Sequence, residues 1–551
     1  MARSCKPTVV AASIPNCLCS RHSPDARAEP STSQTWFHPL GRPCYTAARL
    51  NNREFTNQSL TSPNEGALRA VQEESLSSDF NPHEPRFSPV LTVLAALVLL
   101  AAALAFGWLM IAVPSLERVP VPERALALMV DRMMDLEEAF ARAPAWERQL
   151  YDVTMGNGIN ELAQAITWYE ELAAYSSDPL VQLRLAVLEA EAGRLDLVRA
   201  RIKEWEGRED PFPSFVRLIQ AGYLEPRTDP AVEMALQAEL AELLPGGWFY
   251  DRLAMNLAMR AGHRTLLASI EQASASRVAP LLRRTRELLA VELPLILSGA
   301  LVLLVVLVRQ RGRLDALKVG KAPLPPLWRG RTGLVVMIRG GAIGAVLALG
   351  LLFLEMDNPL LRIMALPVTN LPLLVLAYRH LLKPTGLGFG GGLGLWPSSA
   401  GWVRCGLAVP AVVAVGLLGE WGVSLATDAL SLSSHWTEWF DSDLVWGSSS
   451  VLAVSLLEYV GLAPVFEEIV FRGLLFATLR RKFGWGTSAL ISGMIFAMAH
   501  GYGMVGFVSV FWSGLLWAWA YEKTGSLIPG IVAHMLNNLM VCLTVIWLLR
   551  F

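Results

Sequence analysis

The chain has little charge and almost no imbalance of sign. Charged residues make up 17% of its 551 positions and the formal net charge is −1, which excludes the broad basic surface that nucleic-acid binding requires. Cysteine is scarce: Cys5, Cys17, Cys19 and Cys44 lie near the N-terminus, and Cys405 and Cys542 lie in apolar segments. Six thiols so scattered make no disulfide framework and read as isolated residues. No apolar run of signal-peptide length occurs near the N-terminus. An HExxH sequence is absent, which excludes a zincin helix, and no GxSxG occurs in the apolar segments, which argues against a serine nucleophile elbow. Aspartate stops at Asp443, so the C-terminal segment cannot supply an aspartyl dyad.

What the chain has in abundance is apolar sequence. Hydrophobic residues reach 53% and the mean hydropathy is +0.39, the composition of an integral membrane protein. Residues 1–86, rich in Ser, Pro, Asn and Arg, read as a disordered tail or as sequence upstream of the true start. Residues 88–114 predict one transmembrane helix, and 288–443 and 444–551 predict further membrane helices. The runs are Val90–Val113, Leu288–Val308, Leu334–Leu354, Ile363–Tyr378, Cys405–Gly419, Leu444–Val465, Thr487–His500, Val505–Ala520 and Leu527–Leu549.

Between them, residues 115–287 recover charge, interleaved with Leu, Ala and Trp at helical spacing. Asp178-Pro179 and Asp229-Pro230 predict helix starts, Asp capping and Pro in the first turn; Ala192-Gly193 and Ala261-Gly262 predict helix ends. The two glycines stand 69 residues apart, about two periods of a 34-residue tetratricopeptide-type hairpin. The fold class expected is therefore all-α: a polytopic transmembrane bundle of about eight or nine spans with an inserted soluble helical domain, either tetratricopeptide-like or irregular, that shows no catalytic residues.

Arg309, Arg311, Arg313, Lys318, Lys321, Arg329 and Arg331 face one acid, Asp315, and place their loop in the cytoplasm. The Tyr378–Lys383 turn and Arg480–Lys482 follow the same rule, whereas Asp428–Asp443 falls outside. This orients the tail inward and the helical domain outward, in a bacterial plasma (inner) membrane. The stretch GLGFGGGLGLW from Gly386 has no preceding strand and reads as a flexible or surface-lying loop, not a nucleotide site.

The segment PVFEEIVFRG (Pro464–Gly473) sets two carboxylates and an arginine in an apolar run, a placement that costs free energy and marks function by default. Glu468 and Arg472, four apart, form a helical ion pair, while Glu467 is offset by about 100° and left free. From Leu444 onward the other acids are Glu458 and Glu522 and the histidines are His500 and His534. Counted from the expected cytoplasmic boundaries, Glu467, His500 and His534 each reach roughly 16–21 Å into the bilayer. Asn538 shares a helical face with His534. Such a set suits hydrolysis: a carboxylate that takes a proton from water, imidazoles that position it, and donors for an oxyanion. Alternatively Glu467, His500 and His534 hold a divalent metal such as zinc. The spacing leaves both open.

EEIVFR (Glu467–Arg472), FAMAH (Phe496–His500) and HMLNN (His534–Asn538) fit EExxxR, FxxxH and HxxxN in order. The segment from Leu444 to Leu549 thereby resembles the CPBP group of intramembrane proteases, which includes the CAAX prenyl endopeptidases and bacterial proteins linked to bacteriocin self-immunity. The resemblance implies a helical membrane fold with a conical cavity and peptide-bond hydrolysis in or near the bilayer. Glu467 and His500 would activate water, Glu468 and Arg472 support the site, and His534 and Asn538 stabilise the oxyanion, with a metal or with none. The first helix and the helical domain lie outside that family's core. The partners implied are membrane lipid, a lipidated or membrane-anchored peptide or protein substrate, and a protein partner for the helical domain. A membrane scaffold or receptor, or a proton-coupled transporter, is the competing reading.

Overall fold

The computed structural model describes residues 86–151, 161–312, 314–351, 353 and 358–550. Residues 1–85, with Cys5, Cys17, Cys19, Cys44 and the expected disordered tail, lie outside the described residues, as does Arg313. The described residues all fall within one unit, Pro82–Phe551. Among the described residues there is no strand. The principal helices are α1 (Pro89–Ala112), α2 (Pro122–Ala141), α3 (Ala145–Tyr151), α4 (Glu161–Tyr175), α5 (Pro179–Glu191), α6 (Leu195–Trp205), α7 (Phe212–Ile219), α8 (Pro230–Leu243) and α9 (Trp248–Ala261). They continue as α10 (Arg264–Arg309), α11 (Gly330–Leu351), α12 (Leu361–Thr385), α13 (Ser399–Ala429), α14 (Ser449–Leu479), α15 (Trp485–Met498), α16 (Met504–Thr524) and α17 (Ile528–Arg550).

Among the described residues, eight of these, α1, α10–α14, α16 and α17, are long and apolar enough to cross a bilayer. The all-α polytopic fold is thus as expected, within the span count anticipated. The run Thr487–His500 differs: its helix, α15, has 14 residues, about 21 Å at 1.5 Å per residue and short of the ~30 Å hydrocarbon core. His500 therefore stands beyond the end of a partial span.

The helices α2–α9 form where the sequence carries their caps. Asp178 accepts from Leu180 N at 2.9 Å and Asp229 from Ala231 N at 2.7 Å, each with proline in the first turn. After α5 and α9 the chain leaves through Gly193 and Gly262 at φ of 73° and 71°, a left-handed backbone that glycine adopts without a Cβ clash. Leu126, Val130, Leu172, Leu185, Phe215 and Leu253 are fully buried between these helices. The same core continues into Trp436, Phe440, Cys542, Val545 and Leu549 at one end of the membrane bundle.

Helix α10 joins the two parts without a break at 287/288, where the sequence suggests a boundary. Its first half is clamped by ion pairs to buried carboxylates: Arg277 to Asp135 at 2.8 Å and Asp251 at 2.7 Å, and Arg286 to Glu147 at 2.6 Å. Its second half packs against α13, closely enough that a Cβ on Gly299 would fall 1.9 Å from Pro410 O.

The opposite end of the bundle gathers the Lys- and Arg-rich segments. Val319 N and Gly320 N donate to Thr524 O at 2.8 and 2.9 Å, and Arg480 grips Glu522 at 2.9 Å with both nitrogens. The glycine-rich stretch is packed here rather than loose: Leu527 N donates to Leu393 O at 3.3 Å, and Gly394 (φ 70°) leaves only 2.5 Å between an added Cβ and Gly525 O. Its glycines serve close approach between segments.

Candidate active site

Helix α14 carries the charged segment, and it is irregular. Wide π-type turns occur at Leu457–Leu462 and Glu468–Phe476. The first precedes Pro464, whose missing N–H and ring would disrupt a regular turn. The second opens at Glu468. Such widenings occur frequently at functional sites. The sequence expectation ends this span at Val465, but the helix runs on to Leu479, with Glu468 and Arg472 paired inside it.

The two adjacent carboxylates have different surroundings. Glu468 is 1% exposed and Arg472 0%. Arg472 Nη1 donates to Glu468 Oε1 at 2.9 Å, the expected i,i+4 pair, and Nη2 donates to Gly514 O of α16 at 3.3 Å. The guanidinium lies 4.1 Å over the Phe496 ring, a cation–π contact that adds to the pairing. Glu467, by contrast, keeps 24% of its side-chain surface accessible.

Both carboxylates meet one imidazole. His534 on α17 is buried, with Nδ1 3.1 Å from Glu468 Oε1 and Nε2 3.7 Å from Glu467 Oε2. The Glu468 contact at Nδ1 leaves Nε2 as the atom presented toward Glu467. Trp517 stacks on the ring, centroids 5.5 Å apart and planes 17° from parallel. Its indole N–H has no hydrogen-bond partner among the described residues. Phe496 sits edge-on between the histidines, 4.7 Å from His500 and 6.1 Å from His534.

His500 joins the group through that ring, and its Nδ1 lies 2.8 Å from Phe496 O. Asn538 is anchored elsewhere: Nδ2 donates to Tyr459 O at 2.9 Å, tying α17 to α14. Glu458 faces Arg362 of α12 at 3.8 Å, an arginine held by Asp443 at 2.8 Å. Among the described residues no group of three or more His, Cys, Asp and Glu side chains is arranged to hold a metal ion. The donor set of Glu467, His500 and His534 is thus not gathered into a coordination cage.

Sequence reasoning misses three participants. Trp517 sits outside the motifs and shows no distinguishing spacing. Gly514 acts through its backbone carbonyl, which no motif marks. The role of Phe496 as a platform for Arg472 and both imidazoles needs three helices together, although its place four residues before His500 is a hint.

Residues 449–540 match the family model described as type II CAAX prenyl endopeptidase Rce1-like. No curated protein and no solved structure matches the chain. The match contains all three motifs and α14–α16 with most of α17. Residues 449–540 are thus similar to the Rce1-like family, a likeness consistent with the CPBP group and, at family level, with a CAAX-type intramembrane protease.

Proposed function

We propose that the chain hydrolyses a peptide bond in or near the bilayer, with Glu467 as the base that activates water. The observation that carries this is the division of labour between adjacent carboxylates. Glu468 is spent on Arg472 and His534 Nδ1, whereas Glu467 is accessible and faces His534 Nε2 at 3.7 Å. A water beside Glu467 would lose a proton to the carboxylate as its oxygen attacks the carbonyl carbon, and the same proton then passes to the departing amine. His500 helps to position the water. His534 and the second amide hydrogen of Asn538 stabilise the oxyanion. Arg472 holds Glu468, and Glu468 holds His534.

The substrate class proposed is a membrane-anchored peptide or protein, lipidated in the manner the family's description implies. The Lys- and Arg-rich end of the bundle faces the cytoplasm of a bacterial plasma membrane, and α2–α9 form an extracytoplasmic domain that engages a protein partner. The test is cleavage of a quenched fluorescent peptide panel by purified protein in detergent, with and without chelator. Loss of cleavage in Glu467→Ala and His500→Ala, with insertion intact, is expected. Retained cleavage in Glu467→Ala would refute the assignment.

A further inference from the structure

The turn after His500 is held by parts of the chain outside the family-matched segment. Helix α15 ends at Met498 and α16 starts at Met504, so His500 stands on the short connection between them rather than on a regular turn. Gly501 and Gly503 give this connection more backbone freedom than any other residue type would allow. A floppy turn would not keep an imidazole in place.

Two elements restrict it. Gly501, at φ 67°, lies against α1: an added Cβ would fall 2.5 Å from Met110 Sδ and 3.1 Å from Phe106 Cζ. From the other side, Gly503 N donates to Glu438 Oε1 at 3.1 Å. A Cβ on Gly503 or Gly506 would stand 2.7 or 2.9 Å from that carboxylate, which is therefore seated in a notch two glycines make. Tyr502 places its ring 5.8 Å from that of His500.

Glu438 is itself fixed by the helical layer. Its neighbour His435 has Nε2 2.9 Å from Glu171 Oε2 of α4. Trp436 is fully buried, and Phe440 lies in the core shared with α2–α9. A continuous path thus runs from α4 through 435–440 to the backbone beside His500.

We propose that Glu438 is a positioning residue for His500, and that through it the α2–α9 layer sets the geometry of the catalytic centre. The inference rests on the reading of His500 as part of that centre. A carboxylate accepting a backbone N–H is a strong, directional restraint, and it selects one conformation of a turn that glycine leaves undetermined. Glutamine at 438 keeps an acceptor oxygen at the same reach, and alanine removes it.

The experiment measures kcat, KM and thermal midpoint for wild type, Glu438→Ala, Glu438→Gln, Glu171→Ala and Glu467→Ala in one peptide assay. The expected result is a fall in kcat of about tenfold in Glu438→Ala with KM and midpoint unchanged, recovery in Glu438→Gln, and an intermediate loss in Glu171→Ala. Wild-type kcat in Glu438→Ala while Glu467→Ala is inactive overturns the positioning role alone. A lowered midpoint that tracks the lost activity in Glu438→Ala and persists in Glu438→Gln reduces Glu438 to a structural residue. Wild-type cleavage by Glu467→Ala removes the catalytic reading itself, whatever Glu438 does.

Discussion

Glu468 and His534, on helices α14 and α17, are joined at 3.1 Å between Oε1 and Nδ1, and the same oxygen accepts from Arg472 at 2.9 Å. One carboxylate oxygen therefore orders an imidazole and neutralises a guanidinium that no solvent reaches. Removing one partner of a buried pair leaves the other charge uncompensated, at a cost of about 3–5 kcal/mol. Glu468→Ala should destabilise the protein by that order, measured by denaturant unfolding in detergent. The double variant Glu468→Ala/Arg472→Met should recover part of the loss, because the stranded charge goes with it. A single variant as stable as wild type would show that Glu468 does not brace Arg472.

Trp517 backs His534 and lines an apolar cavity of about 110 Å³ shared with Val291, Leu295, Ala533 and Met540. Trp517→Ala would enlarge that space and free the imidazole, costing about 3–5 kcal/mol. Trp517→Phe keeps an aromatic face and forfeits no hydrogen bond, since the indole N–H makes none among the described residues. It should stay within about 1.5 kcal/mol of wild type and retain most activity. Equal losses in the two variants would contradict the packing account.

Asn538 separates tethering from chemistry. Its bond to Tyr459 O uses one amide hydrogen, and the proposal assigns the other to the oxyanion. Asn538→Ala should then lower kcat about 10²-fold while costing about 1 kcal/mol of stability for the lost hydrogen bond. A change in melting alone, with kcat intact, would leave Asn538 as a helix tie.

In the α2–α9 layer, burial pushes the Asp131 carboxyl from an ordinary 3.8 up to about 6, against the partial relief of the Phe249 N–H and nearby Arg184 and Arg277, with Asp135 adding to the rise. The raised value means that the folded state holds a proton the unfolded chain has already lost between about pH 4 and 6. This group therefore lowers stability as pH rises through that window, and the penalty persists above it. Asp131→Asn, which keeps an acceptor for Phe249 N, should raise the thermal midpoint at pH 7.5 and leave it nearly unchanged at pH 4. An equal shift at both values would rule out the titration.

The helices were legible wherever local chemistry settles them. Asp178-Pro179 and Asp229-Pro230 cap and start α5 and α8 on their own atoms, and the apolar runs become helices because lipid leaves the backbone no other way to be satisfied. The ion pair Glu468–Arg472 follows from spacing alone. The shortness of α15 did not, since an apolar run ends as a helix where glycines and a neighbour's packing stop it, not where hydropathy falls. Nor did the continuity of α10 through residues 287 and 288, where the side chains change partners but the backbone has no reason to break. Arg362 beside Glu458, and Glu438 beside Gly503, are contacts between residues 96 and 65 positions apart, and neither leaves a periodic trace in the sequence.

The claim on which the account turns is that Glu467 performs chemistry while Glu468 holds the site together. The direct measurement compares peptide cleavage and thermal midpoint for Glu467→Gln and Glu468→Gln against wild type, with a chelator arm for each. The account predicts that Glu467→Gln loses at least 10²-fold in kcat with its midpoint unchanged, and that Glu468→Gln lowers the midpoint as well as the rate. Full activity in Glu467→Gln, or equal destabilisation by both substitutions, would contradict it.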